Sequence, residues 1–397
     1  MSTKQQRLKS LNADSQPGSL SQASACPHRP PCPGCPRFGE RGIAEPAHRS
    51  LSELAAAHGL PPPRVISGAT SGFRHRARLA IRGRLGSPKL GLFELGTHHV
   101  VHIPNCSVQH PLINHVASVV RRALAEAKVT SYSDSAHLGL ARYLQVVVER
   151  SSQTAQVVLV GNSPDSEPMA ACLELIRERL ASDLHSLWWN SNTERSNSIL
   201  GPEFQNWCGP ASVVERFGGA AVHYPPGAFG QNNLSIAERI IDHVRHELPE
   251  GSRVAELYAG VGAIGLSLLA RVSDLRLNEV SPHSLSGLAL GLGQLTQADR
   301  AKISVIPGSA AEALAALAGA NVVIADPPRK GLDQALSQFL VEQPPERFIY
   351  VSCGLESFLN DVQRLTERGT LRLRALTTFN LMPFTEHVET VARFEPA

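Results

Sequence analysis

The chain has 397 residues, 42% of them hydrophobic, enough for a globular core divided over two or three domains. Its formal charge of +3 is unevenly placed: residues 1–110 carry 14 Lys+Arg against 5 Asp+Glu, and the remainder carries 24 against 30. No stretch approaches the roughly 18 consecutive apolar residues of a membrane span, and the Ser/Gln/Lys-rich start has no apolar secretory core; these features exclude a helical membrane protein and make the cytoplasm the expected compartment.

Residues 1–24 are polar and aperiodic, and are expected to form a disordered tail. Cys26, Cys32 and Cys35 follow with the spacing C-x5-C-x2-C, each before a proline, and Cys106 lies further on in Ile-Pro-Asn-Cys. Seven cysteines crowded towards one end do not read as a disulfide framework. Four thiolates suit either zinc or an iron–sulfur cluster, and the spacing does not decide between them. Cys172 and Cys208 have no partner pattern and read as core or incidental.

From Phe73 to Val101 apolar and polar residues alternate as in short strands, with Arg74, Arg76, Arg78, Arg82 and Arg84 recurring on the ribbon. The alternation predicts several guanidinium groups on one face, a first candidate for holding an anionic polymer. Tyr143–Val148 and Gln156–Val160 read as strands and Pro168–Leu180 as a helix. Trp188, Trp189 and Asn190 fit either base stacking or the core.

Near residue 225 the pattern changes. Ser235 is placed to cap an amphipathic helix running to Leu248. Strands are then expected at Arg253–Tyr258, Leu275–Val280, Asn321–Ala325, Arg347–Ser352, Leu373–Phe379 and Glu389–Phe394, alternating with helices. The fold class is therefore α/β: an N-terminal α+β region over residues 25–225, then a Rossmann-like, mostly parallel sheet with helices on both faces over 226–397. In such sheets ligands bind at the carboxyl ends of the strands.

Three of those ends carry cofactor signals. Glu256-Leu-Tyr258-Ala-Gly260-Val-Gly262-Ala-Ile-Gly265 is a strand, a glycine turn and a helix start. Glu279 ends the next strand, where a carboxylate can hold ribose hydroxyls. Both features are shared with dinucleotide binding. The third end, Asp326-Pro327-Pro328-Arg329, fixes a carboxylate and a guanidinium on a rigid loop that hydride transfer does not need. The next strand ends in Cys353, and Glu389 opens the last strand after a Pro-containing loop.

Taken in order, Phe229-Gly-Gln231-Asn-Asn233, Glu256 to Gly265, Asp326-Pro-Pro-Arg-Lys-Gly331, Cys353 and His387-Val-Glu389 resemble the motifs of the RNA 5-methyluridine methyltransferases. The resemblance implies a class I methyltransferase domain and S-adenosylmethionine as cofactor, held by Gln231, Tyr258, Gly260, Glu279 and Asp326. It implies that Cys353 is the nucleophile and Glu389 the base, with Asp326 and Arg329 orienting the uracil. It also favours a [4Fe–4S] cluster on Cys26, Cys32, Cys35 and Cys106, as in ribosomal-RNA members lacking an N-terminal OB-like domain. The implied partner is RNA, 23S rRNA by analogy, with no membrane and no obligate protein partner. Three departures stand out: Gly354-Leu355 replaces Asn-Pro after the nucleophile, Asn380 stands where an aspartate is common, and residues 281–297 lack an Asn-Ala pattern. Two other functions remain open on the residues. An NAD-linked oxidoreductase leaves Cys353 and Glu389 unexplained. An iron–sulfur RNA-binding protein with a decayed methyltransferase domain would bind cofactor without turnover.

Overall fold

The apolar alternation condenses into two large sheets in a computed structural model that describes residues 26–397. The expected tail at 1–24 lies outside the described residues. In chain order the strands are β1 (Arg64–Ile66), β2 (Arg76–Arg84), β3 (Ser87–Phe93), β4 (Val100–His102), β5 (Ala141–Glu149), β6 (Thr154–Gly161), β7 (Leu184–Ser191) and β8 (Glu203–Cys208). They continue with β9 (Val213–Phe217), β10 (Ala220–Tyr224), β11 (Ser252–Leu257), β12 (Val272–Glu279), β13 (Ile303–Pro307), β14 (Val322–Ala325), β15 (Arg347–Ser352), β16 (Leu371–Phe379) and β17 (Glu389–Pro396).

The first sheet has the order β4-β3-β2-β5-β6-β7-β8. The period of two on β2 sends Ala77, Leu79 and Ile81 into a core shared with the helices Pro111–Glu126 and Ala170–Leu180. β6 and β7 are parallel, so the chain must cross over between them, and it does so through Ala170–Leu180. Pro168 sits in a 3-10 turn ahead of that helix. Trp189 and Asn190 are buried, and Asn190 donates to the carbonyls of Gly201 and Glu203; both therefore serve the core and do not face a base.

The second sheet has the order β1-β16-β17-β15-β14-β11-β12-β13. All its pairs are parallel except those of β17, which runs antiparallel between β15 and β16. Two segments that the sequence assigns to the N-terminal region pack on this sheet instead. The helix Glu45–Ala57 buries Ala47, Leu51 and Ala55 in one cluster with Phe358 and Leu365, and β1 pairs with β16. The hairpin β9–β10 places Phe217 and Val222 in the core with Val244 and Leu266. Each segment is too short to cover its own apolar side chains, so each buries them against the larger sheet. β13 escapes the sequence pattern because it is a half-exposed edge strand. The cap of the helix Leu234–Glu247 is Asn233, which accepts from the Ile236 amide; Ser235 donates to Asn233 and does not cap the helix.

Candidate active site

The carboxyl edge of the second sheet gathers most of the residues singled out above. β11 ends at Leu257, and the chain turns through Tyr258, Gly260 and Gly262, all at positive φ. A Cβ at Gly260 would meet nothing within 4 Å, so the turn faces open space. A Cβ at Gly265 would lie 2.2 Å from Glu256 Oε2; the glycine is what lets the chain return across that buried carboxylate. The expected helix after the turn is only a 3-10 segment, Gly265–Leu268, because β12 begins at Val272 and the crossover has no length for more. Glu279, at the end of β12, accepts from the amides of Gly260 (2.8 Å), Val280 (2.9 Å) and Ser281 (2.6 Å), and so ties the turn to its own strand. Gln231 is half-buried and lies two residues before the Asn233 cap, whose amide also holds the Leu381 carbonyl at 3.1 Å. Tyr258 donates to Asp333 at 2.9 Å, which turns its hydroxyl towards the helix Gln334–Glu342.

Cys353 and Glu389 meet through strand register. β15 and β17 pair with Ser352 opposite Thr390, so Cys353 and Glu389 occupy the next rung, just beyond the ladder. Asp326 leaves the end of β14, whose last residue pairs with Tyr350 of β15. Cys353 lines a cleft of about 700 Å³ together with Arg329, Ser357, Asn360, Arg364 and His387. Burial pushes the Asp326 carboxyl up to about 7. Burial, and then the Asp326 charge, holds Glu389 well above the usual carboxylate range, with Arg329 opposing. Burial pushes the Cys353 thiol up to about 11, with Glu389 and Asp326 adding to the effect and Arg329 again opposing it. The three groups therefore disfavour one another's charged forms, and Arg329 is the cation that relieves them. Arg329 donates to His387 Nε2 at 2.9 Å; burial and then Arg329 depress the His387 pKa, so the ring accepts as neutral imidazole.

The loop bearing Arg329 is clamped to the helix that follows Cys353. Ser357 Oγ donates to the Arg329 carbonyl at 2.8 Å. A Cβ on Gly354 would fall 2.6 Å from that carbonyl, and one on Gly331 would fall 2.4 Å from Asp361 Oδ2. The departure at Gly354 is thus a packing solution: this loop and this helix approach too closely for a side chain there. Asp361, fully buried, accepts from the Leu332 amide (3.0 Å), from Tyr350 (2.6 Å) and from Arg364. Sequence reasoning passed over Ser357 and Asp361. The signal for Asp361 was present, because it stands on the apolar stripe Phe358, Val362, Leu365 where helical spacing calls for a hydrophobic residue.

The remaining predicted residues lie elsewhere. Cys26, Cys32, Cys35 and Cys106 line one small pocket with Arg29 and Arg74. Burial and then Cys106 push the Cys35 thiol up to about 11. Among the described residues no three His, Cys, Asp or Glu side chains stand close enough to share a single metal ion. Cys172 is buried and Cys208 half-buried, both against the first-sheet core. The arginine ribbon divides. Arg76 and Arg82 are buried, whereas Arg78 and Arg84 are exposed. Arg82 donates to Asp134 (2.6 and 2.8 Å) and to two carbonyls, and stands over the rings of Phe93, Tyr132 and Tyr143.

The strand order of the second sheet, with antiparallel β17 inserted beside β15 and a glycine turn after the central β11, defines a class I methyltransferase fold. The crystal structure of Pyrococcus abyssi tRNA (uracil-54, C5)-methyltransferase in complex with S-adenosyl-L-homocysteine has the same fold. The two superpose with a TM-score of 0.72 at 23% identity, over 88% of this chain and 81% of that one. Residues 218–395 match the family model of tRNA (uracil-5-)-methyltransferases. An uncharacterized RNA methyltransferase of Protochlamydia amoebophila is 35% identical over 382 residues, 94% of this chain and 98% of that protein. Another from Geobacter sulfurreducens is 27% identical over 393 residues, 94% of this chain and 77% of that protein. The chain belongs to the RNA methyltransferases, and its residues 218–395 carry the match to the uracil-5 family. Among the described residues no helix is long and apolar enough to cross a membrane.

Proposed function

We propose that this protein methylates carbon 5 of a uridine in 23S rRNA, in the cytoplasm, using S-adenosylmethionine, Cys353 as nucleophile and Glu389 as base. The observation that carries the reading is the shared rung: the Cys353 thiol, which lines the cleft, and the buried Glu389 carboxylate stand opposite each other at adjacent strand ends. The residues fit the cofactor. Gly260 leaves open space at a strand end and Glu279 stands there as a carboxylate for ribose hydroxyls, with Tyr258 in the turn itself; Gln231 would complete the set. S-adenosylmethionine supplies an electrophilic methyl group on a sulfonium. Uracil C5 is a poor nucleophile until C6 is attacked. The Cys353 thiolate adds at C6 and leaves C5 enolate-like. After methylation C5 still carries its proton; Glu389 takes it, and elimination returns Cys353. A carboxyl with a raised pKa is a stronger base once ionised, and suits that step. Arg329, held by His387, lowers the cost of the Cys353 thiolate, and Asp326 orients the uracil ring.

Cys26, Cys32, Cys35 and Cys106, four thiols around one pocket, would hold a [4Fe–4S] cluster through their thiolates. Arg74, half-buried in the lining of the same pocket, would offset the negative charge of such a cluster. RNA is received by the basic region of 25–225 outside the segments packed on the second sheet, with exposed Arg78 and Arg84 among its contacts. The test is transfer of labelled methyl to unmodified 23S rRNA and, separately, to tRNA, by protein assayed for iron and sulfide. Label recovered as 5-methyluridine in 23S rRNA, and lost by roughly 10⁴-fold in Cys353→Ala, is the expected result. Cofactor binding with no transfer to either RNA overturns the reading and favours a decayed domain. Zinc without iron overturns the cluster.

A further inference from the structure

The segment carrying the thiols ends against the segment carrying the base. Directly after Cys35, the Arg37 amide donates to the Phe384 carbonyl at 3.0 Å. The Arg37 guanidinium donates to the Thr385 carbonyl at 3.3 Å and lies 3.9 Å from Glu386. Its side chain is only 11% exposed, so these contacts are made largely out of water. Phe38 packs on Phe384 with ring centroids 4.9 Å apart, in a small cluster that also holds Cys35, Cys106, Phe73 and Val108. Phe384 is held at φ +67, a left-handed conformation that a phenylalanine does not keep without outside support. Asn380 adds a tie at the other end by donating to the Gly42 carbonyl at 3.1 Å; an ionised aspartate could not make that bond. Residues 380–388 thus leave β16 under the grip of residues 37–42, bring His387 to the cleft and lead into Glu389 at the start of β17.

We propose that Arg37 and Phe38 are positioning residues for the base-bearing loop, and that they make the placement of His387 and Glu389 depend on an intact thiol pocket. This rests on reading Glu389 as the base. The test pairs kinetics with amide hydrogen exchange of the peptide 381–388 in the full-length protein. Arg37→Ala and the milder Phe38→Leu are expected to speed exchange there by about tenfold or more. They should lower kcat by roughly 10- to 100-fold through misplacement of the base. Binding of S-adenosylhomocysteine should stay within about twofold, because the glycine-turn site is held by other elements. Arg37→Lys, which keeps a donor for the Thr385 carbonyl, should recover much of the loss. The double variant Cys32→Ser/Cys35→Ser should speed exchange of the same peptide. Unchanged exchange and unchanged kcat in Arg37→Ala and Phe38→Leu would overturn the clamp. Unchanged exchange in the double cysteine variant would overturn the dependence on the thiols. If wild type methylates no uridine, the reading of Glu389 fails, and the exchange data still decide whether the clamp exists.

Discussion

The two sheets treat their buried charges in opposite ways. In the first, Arg82 is buried but fully engaged, by Asp134, by the carbonyls of Ile81 and Arg142 and by three rings. At the edge of the second, Asp326 and Glu389 are buried and, among the described residues, make no direct ion pair, having only the charge of Arg329 nearby to oppose their own, and Glu256 Oε2 makes no hydrogen bond. A buried charge with a complete set of partners supports the fold. Buried ionisable groups left to push on one another are costly unless something outside the chain completes them. By that criterion the arginine ribbon is in part architecture, and the strand ends carry the chemistry.

The largest expected effect lies at the second sheet. Glu389→Gln removes the proton acceptor but leaves the nucleophile, so addition at C6 proceeds and elimination stalls. Turnover should fall by roughly 10³-fold. A protein–RNA adduct stable to denaturing electrophoresis should accumulate, and should be absent in Cys353→Ala. Loss of turnover without adduct would place Glu389 before the methyl step, not after it. Next in size is a purely structural effect in the first sheet. Arg82→Met leaves Asp134 and two carbonyls without their donor and should cost about 3 kcal/mol in chemical denaturation. Arg84→Ala, on the same strand but exposed, should change stability by less than about 0.5 kcal/mol. It should instead reduce the salt dependence of RNA binding by about one ion. Equal stability losses from the two variants would erase the distinction between the engaged and the exposed arginines of the ribbon.

Much of the second sheet was legible because its signals are local. Arg347–Ser352 is a run of apolar residues between turns, and its observed bounds are those the sequence predicts. Cys353, Asp326 and Glu279 follow from the strand ends, since a parallel sheet sends every such end to one edge. What could not be read is whatever depends on contact between distant segments. Nothing near residue 50 says that Leu51 packs with Phe358 and Leu365, or near residue 64 that Arg64 pairs with Thr377. The ribbon's alternation correctly put the even-numbered arginines on one face. It could not say that Tyr132, Tyr143 and Asp134 come from elsewhere to cover Arg82. The grip of Arg37 on Phe384 and Thr385 spans more than three hundred residues and has no sequence signature at either end.

The smallest effect is the most discriminating, because it has the opposite sign to the loss of turnover. The Cys353 thiol is held up to about 11 by burial first and by Glu389 second. Alkylation of Cys353 by iodoacetamide in the free protein should therefore climb with pH through the alkaline range, since only the thiolate reacts. Glu389→Gln removes a negative charge that opposes thiolate formation. Its alkylation midpoint should move down, and its rate at pH 8 should rise by about severalfold, while methyl transfer by the same variant collapses. Arg329→Ala should act the other way, because it withdraws the cation that favours the thiolate. A thiol that titrates at its ordinary value and ignores both substitutions would mean that Cys353 faces water and not the two carboxylates, and the contrast between the sheets would lose its chemical half.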